Sequence, residues 1–237
     1  MSEKISSIAI ITARGGSKRL PGKNTKMFID KPIIAYSITA AIECRQFDVV
    51  MVSTDDPGIA EISKEFGADV PFLRSKGTSD DYATTEEVIW EVVNKYMKMG
   101  KSFTHISCLY PTAPFVTAEK LIKAMDLLKN SDADSIIPVV KFSYPPQRSI
   151  VIINDKLTMK YPEYICARSQ DLETWYHDCG QFYCIKTKPF LETRSFLTKD
   201  TIPFIVPELE VQDIDTEEDW GLAEMKYIRM SEKICRE

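Results

Sequence analysis

Short apolar runs separated by amphipathic stretches recur along the chain as far as Val140. Ile5–Thr12 and Asp48–Ser53 are apolar on both faces, as strands buried in a parallel sheet are. Val70–Leu73, His105–Leu109 and Ser135–Val140 read as further strands of the same kind. The stretches between them carry helical periodicity. One helix is predicted from Lys31-Pro32 to about Arg45, with Pro32 near its first turn and Ile33, Ile34, Ile38, Ala41 and Ile42 on its apolar face. A second starts at Thr54-Asp55-Asp56-Pro57 and ends at Gly67. A third runs from Thr84 to Met99, closed by Gly100, and a fourth from a Thr117 cap to Asn130. Strand and helix alternate, so the expected fold is α/β: a three-layer αβα sandwich on a mostly parallel sheet.

The alternation stops at Lys141. Ser149–Ile153 and Lys156–Tyr161 read as two strands joined at Asn154-Asp155, a tight hairpin turn with no place in the parallel sheet. Lys141–Tyr164 is therefore expected to project as an arm, whether as a lid, a surface excursion or a dimer contact. Gln181–Ile185 and Thr201–Val206 return as strands, with a short helix at Lys188–Leu191. Thr216 with Asp219 resembles a capping box ahead of a last amphipathic helix carrying Trp220, Leu222, Ala223, Met225 and Ile228. No linker or repeat divides the 237 residues, so one domain with an inserted arm is expected.

Charge changes the picture at one place. The chain is acidic, with a net charge of −5, which argues against a general nucleic-acid binder. Yet Ala13–Asn24 holds Arg14, Lys18, Arg19 and Lys23 together with Gly15, Gly16, Pro21 and Gly22. Flexible backbone, bare amides and clustered cations suit a polyphosphate. The loop is not a P-loop: Ser17 stands where a glycine is required and Asn24 where Ser or Thr would bind magnesium. Nor is it a dinucleotide fingerprint. The loop, Thr54-Asp55-Asp56 and Tyr110–Pro114 all follow predicted strands. They would share the carboxyl edge of the sheet, where ligands of open α/β sheets gather.

Asp213 and Asp215 are spaced so that both carboxylates leave an extended segment on one face. Two readings stand: oxygen ligands for Mg²⁺ held jointly with phosphates, or acids decorating the start of the last helix. The six cysteines are scattered and there are only two histidines, so a zinc site is not expected. A Cys179–His177 catalytic pair is a further alternative without a supporting motif. The first residues, Met1-Ser2-Glu3-Lys4, lack the pattern of a signal peptide, and no apolar run is long enough to span a membrane. A cytoplasmic protein with reduced thiols and no membrane partner is expected.

Ala13-Arg14-Gly15-Gly16-Ser17-Lys18-Arg19-Leu20-Pro21-Gly22-Lys23-Asn24 resembles the signature of the acylneuraminate cytidylyltransferases, the CMP-sialic acid synthetase family. Ser53-Thr54-Asp55, Pro111-Thr112-Ala113-Pro114 and Asp213-Ile214-Asp215-Thr216 match later motifs of that family in order. Arg168–Leu172 and Tyr176–Tyr183 look closest to its pseudaminic acid branch. Tyr110 and Val116 depart from the glutamine and arginine of the sialic acid enzymes. The resemblance implies a nucleotide-diphospho-sugar transferase-like fold and transfer of CMP from CTP to the anomeric hydroxyl of an acidic nine-carbon sugar, with pyrophosphate as the other product. The sugar nucleotide would serve surface glycan or flagellin glycosylation. Legionaminic acid, N-acetylneuraminic acid and KDO are the alternative sugars, and a non-catalytic nucleotide-binding protein is the alternative class. The resemblance further implies Arg14, Lys23, Asp213 and Asp215 as catalytic, with Mg²⁺ on the two aspartates. Ala13, Arg14, Gly15, Gly16, Ser17, Lys23, Asn24, Arg74 and Ser79 would bind the nucleotide. Tyr110, Gln170, His177, Asp178, Gln181 and Phe182 would face the sugar, with His177 either touching it or serving structure. The family's homodimer would use the arm.

Overall fold

Strand β1 (Ser7–Thr12) is buried along nearly its whole length, because Ile8 to Ile11 offer no polar face to solvent. In this computed structural model, which describes residues 6–234, the chain leaves β1 through the basic loop. It then forms two short strands, β2 (Met27–Phe28) and β3 (Lys31–Pro32), and enters helix α1 (Ile33–Glu43). There follow β4 (Val49–Ser53), α2 (Pro57–Glu65), α3 (Thr85–Lys98), β5 (His105–Leu109), α4 (Ala118–Lys129) and β6 (Ser135–Lys141). The second half supplies β7 (Ile150–Ile153), β8 (Lys156–Met159), β9 (Tyr176–Asp178), β10 (Phe182–Lys186), α5 (Thr187–Thr193), β11 (Thr201–Ile205) and α6 (Glu217–Ile234).

The main sheet has the order β11-β6-β10-β5-β1-β4, with β9 pairing the end of β6. β4, β1 and β5 are mutually parallel, and so are β6 and β11. β10 runs antiparallel between β5 and β6. Side chains alternate across the pleat. Ala9 and Ile11 therefore meet Ile34, Ile38, Ile59, Leu121 and Met125 on one face, while Ile8 and Ile10 meet Ile89, Val92, Tyr96 and Phe190 on the other. Helices α1, α2 and α4 cover the first face, and α3 and α5 the second, giving the expected αβα layers.

Several sequence expectations shift. Ile5 of the expected first strand lies outside the described residues. Val70–Leu73 forms no strand: pairing is confined to the single bridge Met51–Asp69, and Pro71 has no N–H to extend it. α1 stops at Glu43, and Arg45 takes a left-handed φ of 52° that no helix continues through. β9, which the sequence did not announce as a strand, pairs Val139 to Lys141 through Tyr176, His177 and Asp178. The hairpin β7–β8 is as read, with Asn154 and Asp155 both left-handed (φ 51° and 59°), as a two-residue turn of this hand requires.

A third apolar cluster closes the two ends of the chain on each other. Leu20, Phe28, Ile33, Tyr36 and Phe115 pack with Ile214, Trp220 and Ala223. Phe28 sits edge-on to Tyr36 and Trp220, both at 5.5 Å, within the range that favours aromatic pairs. Lys26 lies over the Trp220 ring and pairs with Glu217 at 2.5 Å. The start of α6 is thereby fastened beside the basic loop. Among the described residues no helix is long and apolar enough to cross a membrane.

Candidate active site

β1 ends at Thr12, and the basic loop leaves the carboxyl edge of the sheet beside the loops after β4 and β5. Gly15 is required for a packing reason. A Cβ on it would stand 2.9 Å from the Asp56 Cβ and 2.8 Å from its carboxylate, a contact that neither backbone can absorb cheaply. Asp56 is fixed there because it caps α2, accepting from the amides of Gly58 and Ile59 at 2.7 and 3.0 Å. The Gly15 amide donates to Asp55 Oδ1 at 2.9 Å, and the Ser17 amide to Gly15 O at 3.1 Å. Of the Gly15, Gly16 and Ser17 amides in this loop, two thus have partners inside the protein. Asn24 is buried and donates to Arg14 O at 2.8 Å, and Ala13 is buried in the core. Both shape the loop from behind.

A cavity of about 400 Å³ is lined by Arg14, Ser17, Lys18, Arg19, Lys23 and Asn24 from this loop, by Tyr110–Thr112 from the β5 turn, and by Asp81 and Asp215. A second cavity of about 240 Å³ shares Thr12, Arg14, Asp81 and Tyr110 with it and adds Arg74, Thr78, Thr84 and Thr85. Two carboxylates partner the four cations and leave the loop with an excess of positive charge. Asp81 pairs with Arg14 at 2.7 Å and with Lys18. Asp215 pairs with Arg19 at 2.8 Å and with Lys23 at 3.4 Å. Lys23 also donates to Ile214 O at 2.5 Å, which ties the loop to a segment about 190 residues away.

Asp213 and Asp215 are aimed by the residue between them. Ile214 is 1% exposed and belongs to the third apolar cluster, so the alternation of an extended chain turns both neighbours outward. The capping box is present: Asp219 accepts from the amides of Asp215 and Thr216, and the Asp219 amide donates back to Thr216. Asp213 is exposed and its carboxylate makes no ion pair among the described residues. Nor do the described residues hold a cluster of three acidic, histidine or cysteine side chains. The donor set is thus two carboxylates, one of them unengaged, beside cations suited to phosphate. That fits Mg²⁺, which keeps water and takes substrate oxygens rather than a complete protein cage.

In the second cavity Arg74 is held by Ser53, its Nη2 donating to Ser53 O at 2.5 Å and its Nε to the Ser53 hydroxyl at 3.1 Å. The Ser79 hydroxyl donates to Ser75 O and its amide to Lys76 O, and the residue lines neither cavity. Glu91 anchors this loop, accepting from the Ser75 amide and hydroxyl and from Lys95 and Thr78. Burial opposes ionisation of Glu91, but these hydrogen bonds outweigh it and hold the carboxyl at about 2. A depressed pKa contributes stability above the unfolded value near 4.5 that is lost as pH falls through the folded value. Glu91→Gln is accordingly expected to flatten the loss of melting temperature between about pH 4.5 and 2, read by thermal melts across that window.

The proposed sugar residues divide. Tyr110 lines both cavities, its hydroxyl 3.2 Å from Thr85 and its ring edge-on to Tyr183 at 5.7 Å. Tyr183 donates to Asp178 at 2.5 Å, so Asp178 reaches the cavity wall through two tyrosines. Burial raises the pKa of both phenols and keeps them protonated. Gln181 is 2% exposed and donates to Glu210 O. Gln170 is exposed outside both cavities. Phe182 departs from expectation: it is fully buried and packs on Phe204 in the core, because it starts β10 on the face covered by α4. His177 rests on Phe142 and bonds Asp178 O, while burial pushes the buried Cys179 thiol up to about 12. That thiol is no nucleophile near neutral pH, which removes the Cys–His alternative. Asp81 and Tyr183 were not named as site residues from sequence. Tyr183 closes the Tyr176–Tyr183 stretch, and Asp81 is one of two adjacent acids in a polar loop.

Comparison with known proteins finds relatives along most of the chain. The family model described as Cytidylyltransferase matches residues 8–194, a span that ends before Asp213. Pseudaminic acid cytidylyltransferase of Campylobacter jejuni is 36% identical over 93% of this chain and 95% of its own. CMP-N,N'-diacetyllegionaminic acid synthase of Legionella pneumophila is 34% identical over 92% and 94%. Among solved structures, a CMP:2-keto-3-deoxy-manno-octonic acid synthetase complexed with CTP superposes with a TM-score of 0.67 at 17% identity, covering 96% of this chain and 99% of that one. The last shares the fold, while the first two share sequence from end to end. The chain belongs to the cytidylyltransferase family, as a nucleotidyltransferase related to the N-acylneuraminate cytidylyltransferases.

Proposed function

We propose that this enzyme transfers CMP from CTP to the anomeric hydroxyl of a nonulosonic acid, pseudaminic acid, and releases pyrophosphate. The observation that carries the reading is the joining of the cationic loop and Asp215 around one cavity, in a chain 36% identical along 93% of its length to a pseudaminic acid cytidylyltransferase. The sugar hydroxyl attacks the α-phosphorus, and the bond to the β-phosphate oxygen breaks. Arg14 and Lys23 neutralise charge on the phosphates as that bond lengthens, a fixed-charge contribution that dominates phosphoryl-type transfer. The Gly16 amide, with Lys18 and Arg19, steadies the leaving pyrophosphate, while Asn24 and Ala13 keep the loop in shape. Arg74 lies on the cytidine side. Asp213 and Asp215 would hold Mg²⁺, which when bound neutralises phosphate charge and makes the attacking hydroxyl more acidic. Tyr110, positioned by Tyr183 and Asp178, walls the sugar side, with His177 and Gln170 at its rim.

The test is pyrophosphate release with CTP, Mg²⁺ and a panel of pseudaminic, legionaminic and N-acetylneuraminic acids and KDO. Turnover fastest with pseudaminic acid is expected. Turnover of N-acetylneuraminic acid alone would overturn the sugar assignment, and turnover of none would overturn the reaction.

The proposal extends to a homodimer through residues 141–164, working in the cytoplasm with thiols reduced. In support, the five described cysteines are free. Ile150, Ile152, Ile153 and Leu157 are all more than half exposed on the β7–β8 hairpin, and an isolated two-stranded hairpin is marginal in water. A second copy covering it supplies the missing burial. Ile152→Asp with Leu157→Asp is expected to give monomers in sedimentation and to lower turnover about tenfold. An unchanged dimer would place the contact elsewhere.

A further inference from the structure

The cavity contains a carboxylate that this mechanism leaves unused. Asp81 receives Arg14 Nη1 at 2.7 Å together with Lys18 Nζ, and Arg14 donates as well to Asp80 O at 3.0 Å. Among the described residues, every hydrogen bond from residues 80–82 to another part of the chain ends on Arg14 or Lys18. The remaining bonds, from the Tyr82 and Ala83 amides to Asp80 Oδ1, stay inside the turn. Tyr82, at the tip, is 92% exposed. The turn is therefore moored to the body only through cations of the proposed triphosphate site. A carboxylate and a phosphate compete for one cationic face, and the phosphate brings more charge and more acceptor oxygens. Exposed ion pairs are individually weak, so the exchange is easy.

We propose that Asp81 is a displaceable counter-ion that sets nucleotide affinity: the triphosphate takes Arg14 and Lys18 from it, and the 80–82 turn is released from the mouth of the cavity. This inference rests on reading the cavity as the CTP site. In the free enzyme Asp81 relieves repulsion between Arg14 and Lys18, and it weakens binding of any anion too small or too poorly charged to displace it. Asp215 stands in the same relation to Arg19 and Lys23, but its place in catalysis makes it unsuitable as a test.

The experiment is calorimetric titration of CTP and of inorganic tripolyphosphate, without metal, into the parent, Asp81→Asn, Asp81→Ser and Asp81→Glu, with thermal melts confirming that each is folded. Both neutral variants are expected to bind both probes about fivefold more tightly, and the charge-keeping Glu variant to stay within about twofold of the parent. Equal or weaker binding by the folded neutral variants overturns the inference. If the parent binds neither probe, it is the CTP-site reading that fails.

Discussion

Replacing Asp213 and Asp215 together by asparagine is expected to lower cytidylyl transfer by roughly a thousandfold or more, with the fold retained. The substitution keeps size and shape, and the core anchor between the two positions, Ile214, is untouched. Asp215 pairs with an Arg19 that is largely in water, and exposed pairs are worth little to stability. The melting temperature is therefore expected to move by only a few degrees, while pyrophosphate release with CTP and Mg²⁺ all but stops. The single variants separate two contributions. Asp213→Asn removes a carboxylate with no ion pair among the described residues, so it tests Mg²⁺ dependence alone. Asp215→Asn also frees Arg19 and Lys23, so it is expected to raise affinity for CTP without metal even as turnover falls. Full activity in the double variant would sink the metal assignment.

The second large effect is expected at Lys23. Lys23→Ala should cost about a hundredfold to a thousandfold in kcat, the range for removing one preorganised charge from a phosphoryl or acyl transfer site. Its side chain is only 17% exposed and its Nζ sits 2.5 Å from Ile214 O, so its charge is fixed before substrate arrives. Lys23→Arg is expected to rescue poorly, because a planar guanidinium needs more room and a forked set of acceptors. Steady-state kinetics in CTP decide the role. A fall in kcat with KM little changed marks stabilisation of the transition state. A rise in KM with kcat intact would make Lys23 a ground-state contact only.

What could be read from the sequence was local or periodic. Ile8 to Ile11 are apolar at every position, as a short strand buried on both faces requires. Asn154-Asp155 specifies its own turn. Thr216 and Asp219 specify their own cap. Glycines and cations crowded into Ala13–Asn24 carry their meaning within twelve residues. What stayed hidden depends on contacts between distant positions. An apolar run such as Phe182–Ile185 states that it is buried but not its direction, so the antiparallel entry of β10 beside β5 was not readable. For the same reason Phe182 was taken for a sugar contact, when the pleat turns it into the core. Asp81 was one acid among several in a polar loop until the fold set it against Arg14 and Lys18. Tyr110, just after β5, meets Tyr183 of β10 edge-on, and Tyr183 donates to Asp178 of β9, so the wall is made by three segments that are neighbours only in space.

The small apolar cluster that joins Leu20 and Phe28 to Ile214 and Trp220 has a bearing on how the enzyme comes into being. The basic loop is synthesised about 190 residues before the Asp213–Asp215 segment that meets it. Until α6 docks, Lys23 has no Ile214 carbonyl to hold it and the loop has no acidic partner at Asp215. A nascent or C-terminally clipped chain would carry cations without the groups that direct them. The proposed site is therefore assembled only after the Asp213–Asp215 segment has been made and has docked, and a cut between β11 and Asp213 is expected to abolish turnover while leaving the pairing of the main sheet in place.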